Sequence, residues 1–342
     1  MSGPRILFVV DAGPRVGGGH VMRSLTLAGA LSAQGAACTF MGPPAVSVLL
    51  DAFAPGAARL AAASTEPRDL AAAVGAEPFD AVVFDHYGLS SRDHRAMGQG
   101  RPVLVIDDLA DRPLGADIVV DSGPARTAED YEGLLPESAR LLLGPGFAPV
   151  RPEFAALRET ALAWRGEPVQ RILVSMGLTD VGGITARIIE RLRLRVGETA
   201  LDVVLGAGAP SLPGLAKVAR RDGRLTIHVD SPHMARLTAE ADIAVGGAGS
   251  STWERCTLGL PTLQVILTEN QRAAAETLAA RGAALVVDGG AAGFEAQFDR
   301  GLTRLMVDDD LRRTLAARSS ELCDGQGAAR TATAFLQRIS LP

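Results

Sequence analysis

At 342 residues and roughly 150 per domain, the chain has room for about two domains, and 47% hydrophobic against 21% charged residues excludes intrinsic disorder. Its 38 glycines and 20 prolines predict many tight turns without reaching the roughly 25–30% that marks low complexity. A net charge of −5 gives no global attraction to nucleic acid or an anionic membrane. The only lysine among 34 basic residues, Lys217, follows no glycine loop, so a Walker-type phosphate loop is excluded.

In chain order, the first apolar run is Ile6 to Asp11 (ILFVVD), reached from Met1 without the apolar region and cleavage site of a signal peptide. The glycines Gly17, Gly18 and Gly19 then open a helical stretch that begins with His20 and Arg23 and ends near Gly35. Strand-like runs follow at Cys38 to Met41, Ala81 to Asp85, Val103 to Asp108 and Asp117 to Asp121. The second half has them at Ile172 to Gly177, Val203 to Gly206, Leu225 to Asp230, Ile243 to Gly247 and Leu263 to Leu267. Continuous rather than alternating apolarity predicts strands buried on both faces, and the spacers have helical length, so the expected class is α/β with parallel sheets. From about Gly290 onward the pattern is helical.

Arg-Ile-Leu opens a strand, a glycine loop and a helix at Arg5 and again at Arg171, so each half is expected to be a doubly wound, Rossmann-type domain. Pro and Gly cluster at Leu143 to Pro152 and Trp164 to Pro168. That predicts an N-terminal domain over 1–150, a linker over 151–168, a C-terminal domain over 169–325 and a last helix over 326–342 that crosses back to the first domain. Ligands of open parallel sheets bind beyond the carboxyl ends of the strands, which would place a substrate in a central cleft faced by both sheets. Cys38, Cys256 and Cys323 lie too far apart to read as a disulfide framework or a CxxC metal site. With no apolar run of about 18 residues, a soluble, cytoplasmic, monomeric protein is expected.

The loop at Gly17 to Gly19 invites a dinucleotide-binding reading, which fails because Met22 stands at the third glycine of GxGxxG and the second strand ends without an acidic residue. His20 falls in the first helical turn with Arg23 one turn on; both the helix end and the arginine favour the neutral imidazole, a competent general base near pH 7. A capping or packing histidine fits the same position. Tyr87 follows a strand's carboxyl end, where it is either functional or a half-buried tyrosine bonded to backbone. Asp107 and Asp108 are expected to cap a loop. His86, His94, His228 and His233 have no ligand spacing and are expected to pack or be solvated, so no metal is expected. In the second half, Gly246 to Glu254 (GGAGSSTWE) runs from a strand into a helix whose first turn offers hydroxyls to phosphate oxygens. Glu254 suits either a ribose diol or ordinary first-turn capping. A further glycine loop spans Gly177 to Gly183, and Asn270 and Gln271 follow another strand end.

The stretches GGGHVMRSLTLAGAL, VLVIDDLADRP, LGPGFAPVRPEF and GAGSSTWERCTLGLPTLQVILTENQ together resemble the UDP-sugar hydrolases of pseudaminic acid biosynthesis, from about Arg5 to about Asp288. Those enzymes act on UDP-2,4-diacetamido-2,4,6-trideoxy-β-L-altropyranose and are similar in fold to GT-B glycosyltransferases. The resemblance implies His20 and Tyr87 as catalytic residues, without a cofactor. It implies Ser250, Ser251 and Glu254 at phosphate and ribose, Met234 near the uracil, Asn270 and Gln271 toward the sugar and Arg151 at the family's RPEF linker; with the glycine-loop residues Gly17, Gly18, Gly19, Arg23, Gly177 and Gly249 these make up the expected substrate site. Leu178 and Thr179 depart from the family, which usually has a glycine and a serine there. The expected reaction is water attack at the anomeric carbon with inversion, UDP being a good enough leaving group for one base to suffice. By the same resemblance the product serves flagellin or surface glycosylation. A glycosyltransferase on this scaffold and a non-catalytic UDP-sugar-binding protein are the alternatives.

Overall fold

The computed structural model describes residues 3–13 and 16–340; Pro14 and Arg15 of the first glycine loop, and Leu341 and Pro342 at the end of the expected last helix, lie outside them. The chain divides into two compact units, Met1–Val150 with Gln326–Pro342, and Arg151–Gly325.

The first unit runs β1 (Arg5–Val10), α1 (Gly19–Ser32), β2 (Ala37–Met41), α2 (Pro44–Phe53), β3 (Ala58–Arg59), α3 (Pro67–Gly75), β4 (Ala81–Asp85), α4 (Ser91–Gly98), β5 (Val103–Ile106), β6 (Ile118–Asp121) and β7 (Arg140–Leu143). Its seven strands order as β3-β2-β1-β4-β5-β6-β7, all parallel. The second unit runs α5 (Pro152–Leu162), β8 (Arg171–Ser175), α6 (Ile184–Arg193), β9 (Ala200–Leu205), α7 (Leu212–Ala219), β10 (Leu225–Val229), α8 (Met234–Glu240), β11 (Ile243–Gly247), α9 (Ser251–Thr257), β12 (Thr262–Ile266), α10 (Arg272–Ala280), β13 (Leu285–Asp288), α11 (Phe294–Val307) and α12 (Asp309–Leu322). Its six strands repeat the order, β10-β9-β8-β11-β12-β13. Both are doubly wound sheets of the Rossmann kind.

β1, β4, β5, β6, β8, β9, β11 and β12 are buried on both faces as their apolar runs predict, whereas β10, also read as such a run, lies at a sheet edge with only Leu225 fully buried, and β2 is buried only at Phe40 and Met41. Ile6, Phe8 and Val10 join Leu27 and Leu31 of α1 on one side of the first sheet, while Leu7, Val9, Val82 and Phe84 pack with α3 and α4 on the other. Each such side chain contributes roughly 1.5–3 kcal/mol by leaving water. The strands that the pattern missed are β3, β7 and β13, each at a sheet edge. β3 has two exposed residues, and β7 has one fully buried position, Leu142. β7 (RLLL) and β13 (LVVD) are apolar but only four residues long, and a run that short is as consistent with a helix segment as with a strand.

The segment 151–168, expected as a linker, instead folds into the second unit. Its helix α5 buries Phe154 and Ala161, and Arg158 is anchored by the carbonyls of Thr257, Ser320 and Cys323. Pro152 misleads because it sits at the first helical position, where a missing N–H costs nothing. The final helix, α13 (Gly327–Ile339), belongs to the first unit, where Ala332 and Phe335 join the α1 side of the core. Gly327 allows this approach, since a Cβ there would stand 2.3 Å from the Ala148 carbonyl oxygen. Among the described residues, no helix is long and apolar enough to cross a membrane.

His94 packs as expected. It is fully buried in α4 with its ring 4.5 Å from that of Phe84, and Nδ1 accepts the Gly115 N–H. Burial, with Arg112 nearby, pushes its pKa down to about 4. The unfolded chain therefore binds a proton near pH 6.5 that the folded chain refuses until about pH 4. Stability is unaffected above pH 6.5 and falls as pH drops through that window, by about 2 kcal/mol at pH 5. A His94→Asn variant, whose Oδ1 can accept the same N–H, should flatten that slope in denaturant titrations at pH 7 and pH 5. An unchanged slope would clear His94 of the effect.

Candidate functional site

Strand order reverses between β1 and β4 in the first sheet and between β8 and β11 in the second. Loops diverge at such switch points and leave a crevice at the strands' carboxyl ends. His20, Arg23 and Tyr87 follow β1 and β4 at the first, and Gly177, Gly249, Ser250, Ser251 and Glu254 follow β8 and β11 at the second; Met234 instead follows the edge strand β10 and Arg151 precedes α5.

In the first unit, Gly17 takes φ +79° and its N–H bonds the Gly13 carbonyl at 2.7 Å, and Gly18 stands at the start of α1 without a side-chain cap. That delivers His20, 4% exposed, to the end of β4. His20 Nδ1 lies 3.1 Å from the Asp85 backbone carbonyl and 3.1 Å from its Oδ1. Both atoms only accept, so Nδ1 carries the proton and Nε2 keeps its lone pair. Burial holds the imidazole below its ordinary pKa; Asp85 opposes this, and Arg23 reinforces it. The His20 ring meets that of Tyr87 edge-on, centroids 4.5 Å apart at 87°.

Asp85 has no exposed surface, and its carboxylate is clamped by Arg23, Nε to Oδ2 at 2.8 Å and Nη2 to Oδ1 at 2.6 Å, and by the Ser24 hydroxyl at 3.1 Å. The third nitrogen of Arg23, Nη1, donates to Asp108 Oδ2 at 2.9 Å. Tyr87 donates its hydroxyl to Asp108, and burial with that carboxylate pushes the phenol's pKa well up, so it stays protonated. Two expectations change. Arg23, expected at the ligand, is buried and engaged at all three nitrogens by Asp85 and Asp108. Asp107 does cap its loop, accepting the Leu109 and Ala110 N–H groups, but Asp108 joins the His20 network instead. His86 also lies beside His20 and Asp11, close enough for each to bias its charge.

In the second unit, Gly177 at φ +99° turns the chain out of β8, and buried Asp180 fixes the loop by accepting from Thr185 N at 2.9 Å, Thr185 Oγ1 at 2.6 Å and Ser211 N at 3.0 Å. Leu178 does not disturb it: its carbonyl takes the Gly206 N–H at 3.1 Å. The loop after β11 carries Gly249, Ser250 and Ser251 into α9, again without a side-chain cap. Gln271 reaches this loop: its Oε1 accepts the Leu267 N–H at 3.1 Å, and its Nε2 would lie 3.7 Å from a Cβ on Gly249. Asn270 Oδ1 accepts the Thr268 hydroxyl at 2.6 Å. Met234 opens α8 and packs half-buried against the cluster of Leu173, Val204 and Leu237.

Glu254 and Arg151 form a partly buried ion pair, Nε at 2.9 Å and Nη2 at 2.8 Å from the same oxygen, Oε1. Glu254 is thus no ordinary first-turn cap: its carboxylate is oriented by a cation, and Oε2 is left out of the pair. Lys217 is exposed in α7 and belongs to neither constellation. No three His, Cys, Asp or Glu side chains among the described residues converge to hold a metal ion.

The resemblance expected from the motifs is found in the comparisons. Over 281 residues, 81% of this chain and 97% of the relative, the sequence is 26% identical to the UDP-2,4-diacetamido-2,4,6-trideoxy-β-L-altropyranose hydrolase of Campylobacter jejuni. It is also 26% identical over 204 residues, 59% of each chain, to the spore coat polysaccharide biosynthesis protein SpsG of Bacillus subtilis. No family model matches. Among solved structures, Acinetobacter baumannii MurG aligns at a TM-score of 0.65 with 19% identity, covering 98% of this chain and all of MurG. Staphylococcus aureus MnaA, solved with UDP, aligns at 0.65 with 15% identity over 99% of this chain and 98% of its own. The fold is that of the GT-B glycosyltransferases, two Rossmann-like domains with parallel sheets.

Proposed function

We propose that the chain is a hydrolase that splits a UDP-activated 2,4-diacetamido-2,4,6-trideoxy sugar into UDP and the free sugar, a cytoplasmic step of pseudaminic acid biosynthesis. The observation that carries this reading is the His20 constellation. A buried imidazole with Nδ1 fixed on Asp85 and Nε2 free stands edge-on to Tyr87, in a chain similar along four-fifths of its length to a UDP-sugar hydrolase.

In this mechanism His20 Nε2 takes a proton from water as the water oxygen attacks the anomeric carbon. The bond from that carbon to the diphosphate oxygen breaks, and UDP departs with the electron pair. Asp85 then stabilises the imidazolium, as its charge favours the protonated ring. Tyr87 has its proton committed to Asp108, so its oxygen is an acceptor that orients the water or a sugar hydroxyl. The nucleotide is assigned to Gly177, Met234, Gly249, Ser250, Ser251 and Glu254, with Oε2 of Glu254 accepting from the ribose diol. Asn270 and Gln271 are assigned to the sugar side.

Incubation with the UDP-sugar alone tests the reading: UDP and free sugar should accumulate without an acceptor, and NMR of the fresh product should show the inverted anomer. The glycosyltransferase fold favours a second reading, transfer to an acceptor. Turnover that begins only when an acceptor is added would select it. Separately, Glu254→Ala should weaken UDP binding about tenfold or more in calorimetry, since a hydrogen bond to a charged group is worth about 1.5–3 kcal/mol. Unchanged affinity would confine Glu254 to holding Arg151.

A further inference from the structure

Arg255 follows Glu254 in α9 and is 4% exposed, yet among the described residues no carboxylate hydrogen-bonds its guanidinium. Nη2 donates to the Gly247 carbonyl at 2.8 Å and to Thr252 Oγ1 at 3.2 Å, and Nη1 donates to Ser251 Oγ at 3.0 Å. Nε is buried with no partner. The glycine loop is shaped around this group, because a Cβ on Gly246 would stand 2.6 Å from Nη1 and 2.7 Å from Cζ.

The second unit's other deeply placed arginines are different. Arg312 has a carboxylate partner, Asp309, and also donates to the Glu167 carbonyl; beyond these, Arg158 donates to the Thr257, Ser320 and Cys323 carbonyls, Arg165 to those of Thr238, Ala241 and Leu258, and Arg312 to those of Leu305 and Met306. Apart from that of Glu167, these carbonyls end helices α8, α9, α11 and α12, where the dipole is negative and a cation is welcome. Arg255 instead folds back to the start of its own helix, where the dipole is positive. Burial draws its pKa down to about 10, so it remains charged at neutral pH. A buried cation without a counter-charge is expensive, and an anion arriving at the loop would relieve that cost.

The hydrogen-bond polarity says how. A guanidinium has donors only, so a lone pair of Ser251 Oγ is occupied and the hydroxyl proton must point to another acceptor. Thr252 Oγ1 is filled in the same way by Arg255 and by Gln264 Nε2 at 2.6 Å. The geometry points to Arg255 as a positioning residue that turns the Ser251 hydroxyl into an obligate donor and places positive charge behind the Gly246–Ser251 loop, so that the site selects a nucleoside diphosphate over the bare nucleoside. This rests on the assignment of the nucleotide to that loop.

The test is the margin by which UDP is bound over uridine, measured by calorimetry and ligand-observed NMR on the full chain. Arg255→Met should lose tenfold or more in UDP affinity with uridine binding within about twofold, Arg255→Lys should recover part of the loss, and Ser251→Ala should narrow the margin in the same direction. A folded Arg255→Met protein that keeps the wild-type margin overturns the assignment. If Arg255→Met does not fold, a wild-type margin in Ser251→Ala overturns it. A purely structural role would change melting temperature and both affinities together. A wild-type protein that binds no UDP defeats the nucleotide reading itself, whereas UDP binding with an unaltered margin in the variants defeats only the role of Arg255.

Discussion

Replacing His20 by asparagine should lower turnover of the UDP-sugar by a hundred- to ten-thousand-fold, about 3–5 kcal/mol of barrier, while UDP still binds. Asparagine fills much of the imidazole's space but has no basic lone pair where Nε2 stood, so the loss falls on the chemical step. The UDP contacts assigned to Ser250, Ser251 and Glu254 lie on the other unit and are untouched. The pH profile carries the same information. His20 must be neutral to accept a proton, and burial holds its pKa below the ordinary value of 6.5, so activity should reach its plateau by neutral pH and decline only as pH falls below that value. Unchanged turnover in His20→Asn would remove this residue from the mechanism.

How much of this could be read from the chain depends on how local each feature is. The doubly wound halves were legible because β1, β4, β5, β8, β11 and β12 are buried on both faces and read as unbroken apolar runs. Of the edge strands, β3 has two exposed residues, and β7 (RLLL) and β13 (LVVD) are apolar runs too short to be told from turn or helix segments. His20, Tyr87, Gly249 and Ser251 stood out because each follows a strand end or glycine loop, a position that restricts what they can do. The partners that give His20 its state were not legible. Asp85 reaches Arg23 across 62 residues and Asp108 does so across 85, and only the adjacency of β1, β4 and β5 brings them together. One signal was available: three neighbouring strands each run into an aspartate, Asp11, Asp85 and Asp107 with Asp108, at the end where this fold class keeps its chemistry. Arg255 had no signal at all. A charged residue in a short helix reads as solvent-facing, and only the missing side chain at Gly246 lets it turn inward.

Asp85→Asn is the change expected to cost the fold most. The carboxylate has no exposed surface and holds Arg23 by two bonds, so an isosteric amide keeps the shape and removes the charge. Arg23, itself 9% exposed, is left with Asp108 alone. Removing one partner of a buried pair typically costs about 3–5 kcal/mol, because the remaining charge stays buried. For a unit of this size that corresponds to a melting transition lowered by on the order of 10 °C, read by scanning calorimetry. The cost comes from the stranded cation, not from lost packing, and the double variant Arg23→Met/Asp85→Asn separates the two. With no cation left to strand, it should recover part of the transition temperature, and a strictly additive loss would put the cost in packing instead. Activity should not recover with it. Without the Asp85 carboxylate the imidazolium loses its main stabilising charge, so the acidic limb of the pH profile should move to lower pH in Asp85→Asn and stay displaced in the double variant. Recovered stability with persistently low turnover would assign Asp85 two separable tasks, neutralising Arg23 within the fold and holding His20 as the base.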